Sequence, residues 1–340
     1  VAVLDCTIRD GGYVNSWRFD KRMVHEVYRS LSKSGVDYVE IGFRGTEKYF
    51  DPAVYGRWRF SSEDDLRNVV EGIEGAKISI MGDYGKIEIE DFIDKKESIV
   101  DLVRIAVNRD KVMEAVSFLE KVKDKGYKTS LQAIGFTAYT DREKQELKRA
   151  VQSSNMDYFY IADSYGSILP NEIPSIFESF LDIAPIKTGF HPHNSLQTAF
   201  ANTMEAMKIG VDIVDGSIFG MGRGSGNLPT EILIAYLQKN GSSKYNVIPI
   251  LSCIERYFVD MQKETPWGYQ LPYFISGMFK CHPYYASELV KRREYPIEDI
   301  WKALEIVEEL EPVGFDIKIL EDLIRNGFVG SRISKKTKEE

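Results

Sequence analysis

Regular alternation is the feature that most constrains this chain. Short apolar segments at 1–8, 37–43, 77–82, 100–107, 128–134, 157–162, 186–190 and 211–217 are separated by stretches with helical periodicity. Continuous apolar runs of this length, bounded by turn residues, fit strands buried on both faces. Between 111 and 125, Val112, Val116 and Leu119 share one stripe, and Gly126 provides the stop. The same pattern recurs at 197–209, closed by Gly210, and from Asn227-Leu228-Pro229 to about 239. Eight strands each followed by a helix, within about 240 residues, predict an α/β fold of the (β/α)8 (TIM) barrel type. An open doubly wound sheet is the alternative, but no Gly-x-Gly-x-x-Gly follows the first strand.

Strand alternation stops beyond residue 245. A helical pattern over 249–264 is broken at Thr265-Pro266-Trp267-Gly268, and further helices are expected at 273–280, 284–293, 297–310 and 316–326. This divides the chain into a catalytic barrel domain over 1–244, a C-terminal all-α appendage over 245–330 and a charged, disordered tail over 331–340.

A net charge of −8 leaves no basic excess to meet phosphates, which argues against nucleic acid and membrane-surface partners. No apolar run is long enough to span a bilayer, and no signal peptide is visible. The chain starts without Met and almost directly in a strand, which leaves room for residues upstream of Val1. Cys6, Cys253 and Cys281 are an odd, scattered set that suits a reducing, cytoplasmic compartment.

The seventh apolar segment leads into His191-Pro192-His193-Asn194, which takes two of the chain's four histidines. Positions two apart on a strand point the same way, so these imidazoles form a pincer suited to a divalent metal. The first segment leads into Arg9-Asp10-Gly11-Gly12, two charges followed by glycines that allow a sharp turn. Active-site groups of such barrels lie at the C-terminal ends of the strands, and closure brings strands 1 and 7 together across strand 8. Asp10, His191 and His193 then converge as one carboxylate and two imidazoles with open positions. That set suits an octahedral Mn²⁺ or Mg²⁺ first, and also Co²⁺ or a Zn²⁺ of higher coordination. Glu40, inside the second strand, is expected to face the barrel interior and to pair with Arg9. The loop Gly220–Asn227 precedes a helix and has the composition of an anion cradle, while Asp163, Ser164 and Asp215 add polar groups near the same face.

The motifs Asp5-Cys6-Thr7-Ile8-Arg9-Asp10-Gly11, Glu40-Ile41-Gly42-Phe43, His191-x-His193-Asn194 and Gly220-x-Gly222-x-Gly224-x-Gly226-Asn227-x-Pro229-x-Glu231 occur in that order. On these residues the chain resembles the HMG-CoA lyase-like superfamily of metal-dependent aldolases, lyases and Claisen-condensing enzymes, and within it the 4-hydroxy-2-oxovalerate aldolases. The resemblance implies metal ligation by Asp10, His191 and His193, with Asn227 as a further ligand or a contact behind them. It implies that Arg9 stabilises an enolate oxygen. Tyr13 stands where the aldolases carry a catalytic histidine and the condensing synthases a glutamine. The strand-8 loop lacks the cysteine of the HMG-CoA lyases.

The activity implied is cleavage of a 4-hydroxy-2-oxo acid to pyruvate and an aldehyde, through an enolate that the metal would stabilise. A Claisen-type condensation or another lyase reaction on a 2-oxo acid or acyl-CoA is the alternative, and a catalytically silent barrel serving as a scaffold is a third reading. With Tyr13 a poor base, His282 in the aromatic-rich stretch 267–285 is a candidate proton-transfer group. The C-terminal helices would serve a homo-oligomer or a partner dehydrogenase.

Overall fold

The computed structural model describes residues 1–292, 295–310 and 314–327. The predicted strands form as β1 (Ala2–Asp5), β2 (Tyr38–Phe43), β3 (Lys77–Asp83), β4 (Val100–Val107), β5 (Lys128–Ala133), β6 (Tyr158–Asp163), β7 (Lys187–Pro192) and β8 (Ile213–Gly216). All pair in parallel, in sequence order, and β1 closes on β8 from Ala2↔Ile213 to Asp5↔Gly216. Each strand is buried on both faces, because the helices cover the outside and side chains fill the inside. The helix Lys21–Lys33 shows the local logic. Asp20 caps it by accepting from the backbone N–H groups of Arg22 and Met23, and Met23, Val24, Val27, Tyr28 and Leu31 form its buried stripe.

Inside the barrel, each step of two residues along a strand rises one layer. Leu4, Tyr38, Leu102, Tyr158 and Ile213 make an apolar floor. One step up, Tyr38 gives way to Glu40, Leu102 to Arg104 and Ile213 to Asp215, all fully buried. The Arg104 guanidinium lies 4.3 Å from the ring centroid of Tyr160, one step above Tyr158, so an aromatic face borders the charged layer.

The first segment departs from its expected form. The strand β1 ends at Asp5, and Thr7–Asp10 makes a helical turn that runs on into Gly12–Asn15. The glycines there do not make a sharp turn: Gly11 has φ −61° and ψ −22°. They provide clearance instead. A Cβ on Gly11 would lie 2.4 Å from the Thr7 carbonyl oxygen, and one on Gly12 would lie 2.1 Å from the Trp17 indole.

After the barrel, Ile248–Cys253, a wider turn over Ile254–Phe258, and Val259–Glu264 follow one another as a helical run. Ile250, Cys253, Ile254, Phe258 and Trp267 join the barrel's outer core. A second apolar cluster begins only at Tyr273 and is built by the helices Leu271–Met278, Pro283–Arg292, Ile297–Leu310 and Ile317–Arg325. The division between the two cores thus falls later than residue 245, because 248–264 packs on barrel helices rather than on the appendage. The expected tail, 331–340, lies outside the described residues. Among the described residues no helix is long and apolar enough to cross a membrane.

Candidate metal centre and active site

The charged layer is the foundation of the site. Arg9 donates through Nε to Glu40 at 2.7 Å and through Nη1 to Asp10 at 2.5 Å. Arg104, on β4, faces the same Glu40 oxygen at 3.1 Å and donates to Asp215 at 2.5 Å. Asp215 in turn accepts from His191 Nδ1 at 2.9 Å. The predicted Arg9–Glu40 pair is present, but it is one link in a buried chain from Asp10 to His191. Two guanidinium groups oppose three carboxylates, so with neutral histidines the layer carries one net negative charge. Burial alone would raise the pKa of Asp10, yet Arg9, His193, His191 and Arg223 override it and hold the carboxyl well below its usual range. Asp215 is likewise held low against its burial, by Arg104 and His191.

Above this layer, Asp10, His191 and His193 each present a ligand atom within 4.8 Å of the others. The two imidazoles meet at right angles, with ring centroids 4.9 Å apart. Their orientation follows from the partners of Nδ1, which are acceptors only: Asp215 Oδ2 for His191 and the Gly226 carbonyl, at 3.2 Å, for His193. Nδ1 must therefore carry the proton in both rings, which leaves Nε2 with its lone pair. His191 Nε2 is buried and has no hydrogen-bond partner. Burial pushes the pKa of His193 well below its ordinary value, so that ring is neutral, as ligation requires. The Asp10 carboxylate accepts from Arg9, from Asn227 Nδ2 at 2.8 Å and from the Arg223 N–H at 3.2 Å. That leaves one of its roughly four acceptor positions open. An orphaned buried imidazole nitrogen, a neutral second imidazole and a net negative layer beneath them fit a divalent cation.

Asn227 bridges to His193 in an antiparallel pair and holds Asp10 through its amide nitrogen, while its Oδ1 is buried without a partner. The glycine-rich loop lies directly on these groups. A Cβ on Gly222 would come within 2.5 Å of Asp10 Oδ2 and 2.4 Å of Asn227 Nδ2, so only glycine lets the loop close there. The second convergent set, Cys6, His191 and Asp215, is a poor metal site. Burial pushes the Cys6 thiol well above its usual pKa, and its Sγ donates to the Gly216 carbonyl.

The three ligand candidates, Arg9 and Tyr13 line an inner cavity of about 60 Å³ together with Met81, Asp83, Gln132, Ser164 and Arg223. Burial, Asp83 and Tyr284 push the Tyr13 hydroxyl far above its ordinary pKa, and Arg59 and Arg223 do not offset them. Tyr13 is thus a neutral hydrogen-bonding group, in keeping with its reading as a poor base. His282 sits elsewhere. It lines a side cavity of about 300 Å³ with Arg109, Tyr139 and Tyr165, and its Nδ1 accepts from the Tyr284 N–H. It does not line the inner cavity.

Sequence reasoning missed Arg104, Asp83, Arg59 and Trp17. Arg104 was visible as a charge in the middle of the apolar stretch Leu102–Val107, which is the signature of an interior ionic group. Trp17 takes a left-handed φ of 58° and donates from its indole to the Arg9 carbonyl at 2.9 Å. Nothing in a lone Trp in a loop signals that role.

A closed barrel with a metal-competent pincer and a buried arginine at the C-terminal strand ends defines a class of carbon–carbon lyases and aldolases. The chain belongs to the HMGL-like family, whose model matches residues 1–254. It is 29% identical over 241 residues to an oxaloacetate decarboxylase from Mycobacterium tuberculosis, covering 70% of each chain. It is 28% identical over 245 residues to a 4-hydroxy-2-oxovalerate aldolase from Roseiflexus sp., again covering 70% of each. Among solved structures, the N-terminal domain of a candidate aldolase from Bacteroides vulgatus superposes with a TM-score of 0.76 at 27% identity, covering 86% of this chain and 97% of that one.

Proposed function

We propose that the protein is a divalent-metal-dependent lyase that cleaves a 4-hydroxy-2-oxo acid to pyruvate and an aldehyde. The observation that carries this reading is the convergence of Asp10, His191 and the neutral His193 on one cavity beside Arg9, with His191 Nε2 buried and unpartnered. When bound, the ion supplies Lewis-acid polarisation of the 2-oxo acid's carbonyl. Arg9, clamped between Glu40 and Asp10, holds a fixed positive charge where oxygen charge grows as the enolate forms. The C3–C4 bond breaks with its electron pair left on C3, and the 4-hydroxyl gives up its proton as the aldehyde leaves. Asp83 takes that proton, as the carboxylate lining this cavity beside Tyr13 that is not tied into the layer below. Tyr13, kept protonated, donates a hydrogen bond, and the proton held on Asp83 is returned to C3 as pyruvate forms, which leaves Asp83 ionised for the next turnover. Asn227 acts by holding Asp10 in place.

A second reading follows from the same protonated Tyr13. Loss of CO2 from a 2-oxo diacid forms the same enolate with no hydroxyl proton to remove, which is the chemistry in the name of the Mycobacterium tuberculosis relative. The test is to supply the Mn²⁺-loaded protein with 4-hydroxy-2-oxopentanoate or oxaloacetate and to follow pyruvate. Aldolase action gives pyruvate and acetaldehyde from the first, and both reactions stop when a chelator strips the metal. His193→Ala should lose both the metal and the activity. Pyruvate formation that continues in metal-free protein would overturn the proposal.

A further inference from the structure

We infer that the substrate carries a second anionic group, a carboxylate or phosphate, on the part that departs as the aldehyde, and that Arg59 recognises it. This rests on the reading of the inner cavity as the 2-oxo acid site. The inner cavity shares Tyr13, Asp83, Ala106, Ile134 and Arg223 with an outer chamber of about 470 Å³, which is also lined by Arg59, Lys86, Trp17, Phe50 and Tyr284. A substrate held by its 2-oxo acid end in the smaller space must direct its far end into the larger one.

The chamber is electropositive. Arg59, Lys86 and Arg223 face a single carboxylate, Asp83, that belongs to the chamber wall. Arg59 is 3% exposed, and its guanidinium lies 3.9 Å from the ring centroid of Phe43 and 3.8 Å from that of Phe50. Both faces are covered by aromatic rings, so hydrogen bonds form only at its edge. Nη2 donates to Asp83 at 2.5 Å, while Nε and Nη1 are buried with no partner. Arg223 Nε is also buried and unpartnered. Leaving several charged donors unsatisfied is costly, and an anion in the chamber satisfies them. Acetaldehyde, the smallest aldehyde partner, would leave them unmet.

The test is calorimetric binding to the Mn²⁺-loaded protein. The probes are pyruvate, 2-oxoglutarate, its phosphonate analogue 2-oxo-4-phosphonobutyrate, and glutarate, which lacks the 2-oxo group. One or both of the two-anion 2-oxo acids should bind at least ~10-fold more tightly than pyruvate, and which of them does so distinguishes carboxylate from phosphate. Arg59→Gln should erase that preference, read as the ratio of the two-anion and pyruvate Kd values in the same variant, and Arg59→Lys should restore part of it. Lys86 is exposed, so Lys86→Gln carries little folding risk, and it should cut the preference by about threefold. Absence of a preference in the wild type, or a preference unchanged in both Gln variants, overturns the inference. Metal-independent pyruvate binding would instead overturn the 2-oxo acid site, and in that case Arg59-dependent binding of glutarate still decides the chamber.

Discussion

Arg9 and Arg104 share a carboxylate yet do different work. Arg9 reaches the cavity; Arg104 is fully buried, and its guanidinium meets Glu40, Asp215, Gln132 and the face of Tyr160. Replacing Arg9 by Lys keeps the charge but loses the fork that spans Glu40 and Asp10. Turnover should fall by at least ~10²-fold, the scale of a lost oxyanion donor, while metal content measured by elemental analysis stays at the wild-type level. Arg104→Met should instead unfold the protein more easily, by ~3–5 kcal/mol in denaturant titration, because Glu40 and Asp215 then lose their shared buried countercharge. His191 and His193 were legible in the sequence because strand periodicity fixes their shared direction, and Asp10 because barrel closure brings the segment after β1 beside β7, although it sits on a helical turn rather than on a strand. Arg104 and Arg59 were not. One belongs to an ionic chain whose other members come from distant strands, and the other is placed by a loop turn at Arg57–Arg59 that no periodicity specifies.

At the scale of elements, the strand-to-helix connections carry the site, and the one after β8 carries most of it. Its composition was readable as an anion cradle or as glycines permitting close packing over the barrel mouth, and the structure uses Gly222 for clearance over Asp10 and Asn227. The loop is fastened from both sides. Thr7 Oγ1 accepts from the Ile218 N–H at 2.7 Å, and Glu231, in the first turn of the helix Thr230–Lys239, accepts from the Phe219 N–H at 3.0 Å. Burial pushes the Glu231 pKa up to about 7, from an ordinary value of 4.5. Between those values the folded chain holds a proton that the unfolded chain has lost, so this group's contribution is full below about pH 4.5 and fades as the pH rises to about 7. Glu231→Gln should remove up to ~3 kcal/mol of the stability difference between pH 5 and pH 8, read from denaturant midpoints at the two values. An unchanged pH slope would show that Glu231 is ionised in the folded protein.

On the scale of the whole molecule, two cores meet over the barrel mouth. The C-terminal helices reach the loop after β8 through Tyr273 and Pro283, which pack against Gly224, and through Gly277, which lies against Ser195 and Leu196. Trp267 donates to the Phe219 carbonyl at 3.0 Å, pinning the connection, and Tyr284 lines the outer chamber. The sequence pattern located these helices almost to the residue, because each has its own amphipathic stripe. It did not show which surface they cover, since an apolar stripe does not name its partner. The metal ligand candidates and the charged layer rest on barrel elements, whereas the chamber wall is completed by the helical layer. The two are therefore separable. Leu304 is fully buried in the second cluster, on the helix Ile297–Leu310. Leu304→Ala should cost ~2–5 kcal/mol there through the cavity it leaves. Limited proteolysis should then cut first within 271–327, while Mn²⁺ uptake by the barrel stays intact. Turnover should fall together with the affinity for two-anion 2-oxo acids, because the wall that Tyr284 provides is loosened. Loss of metal in step with the helical layer would instead mean that the two cores fold as one unit and that the layer helps to hold the metal site in shape.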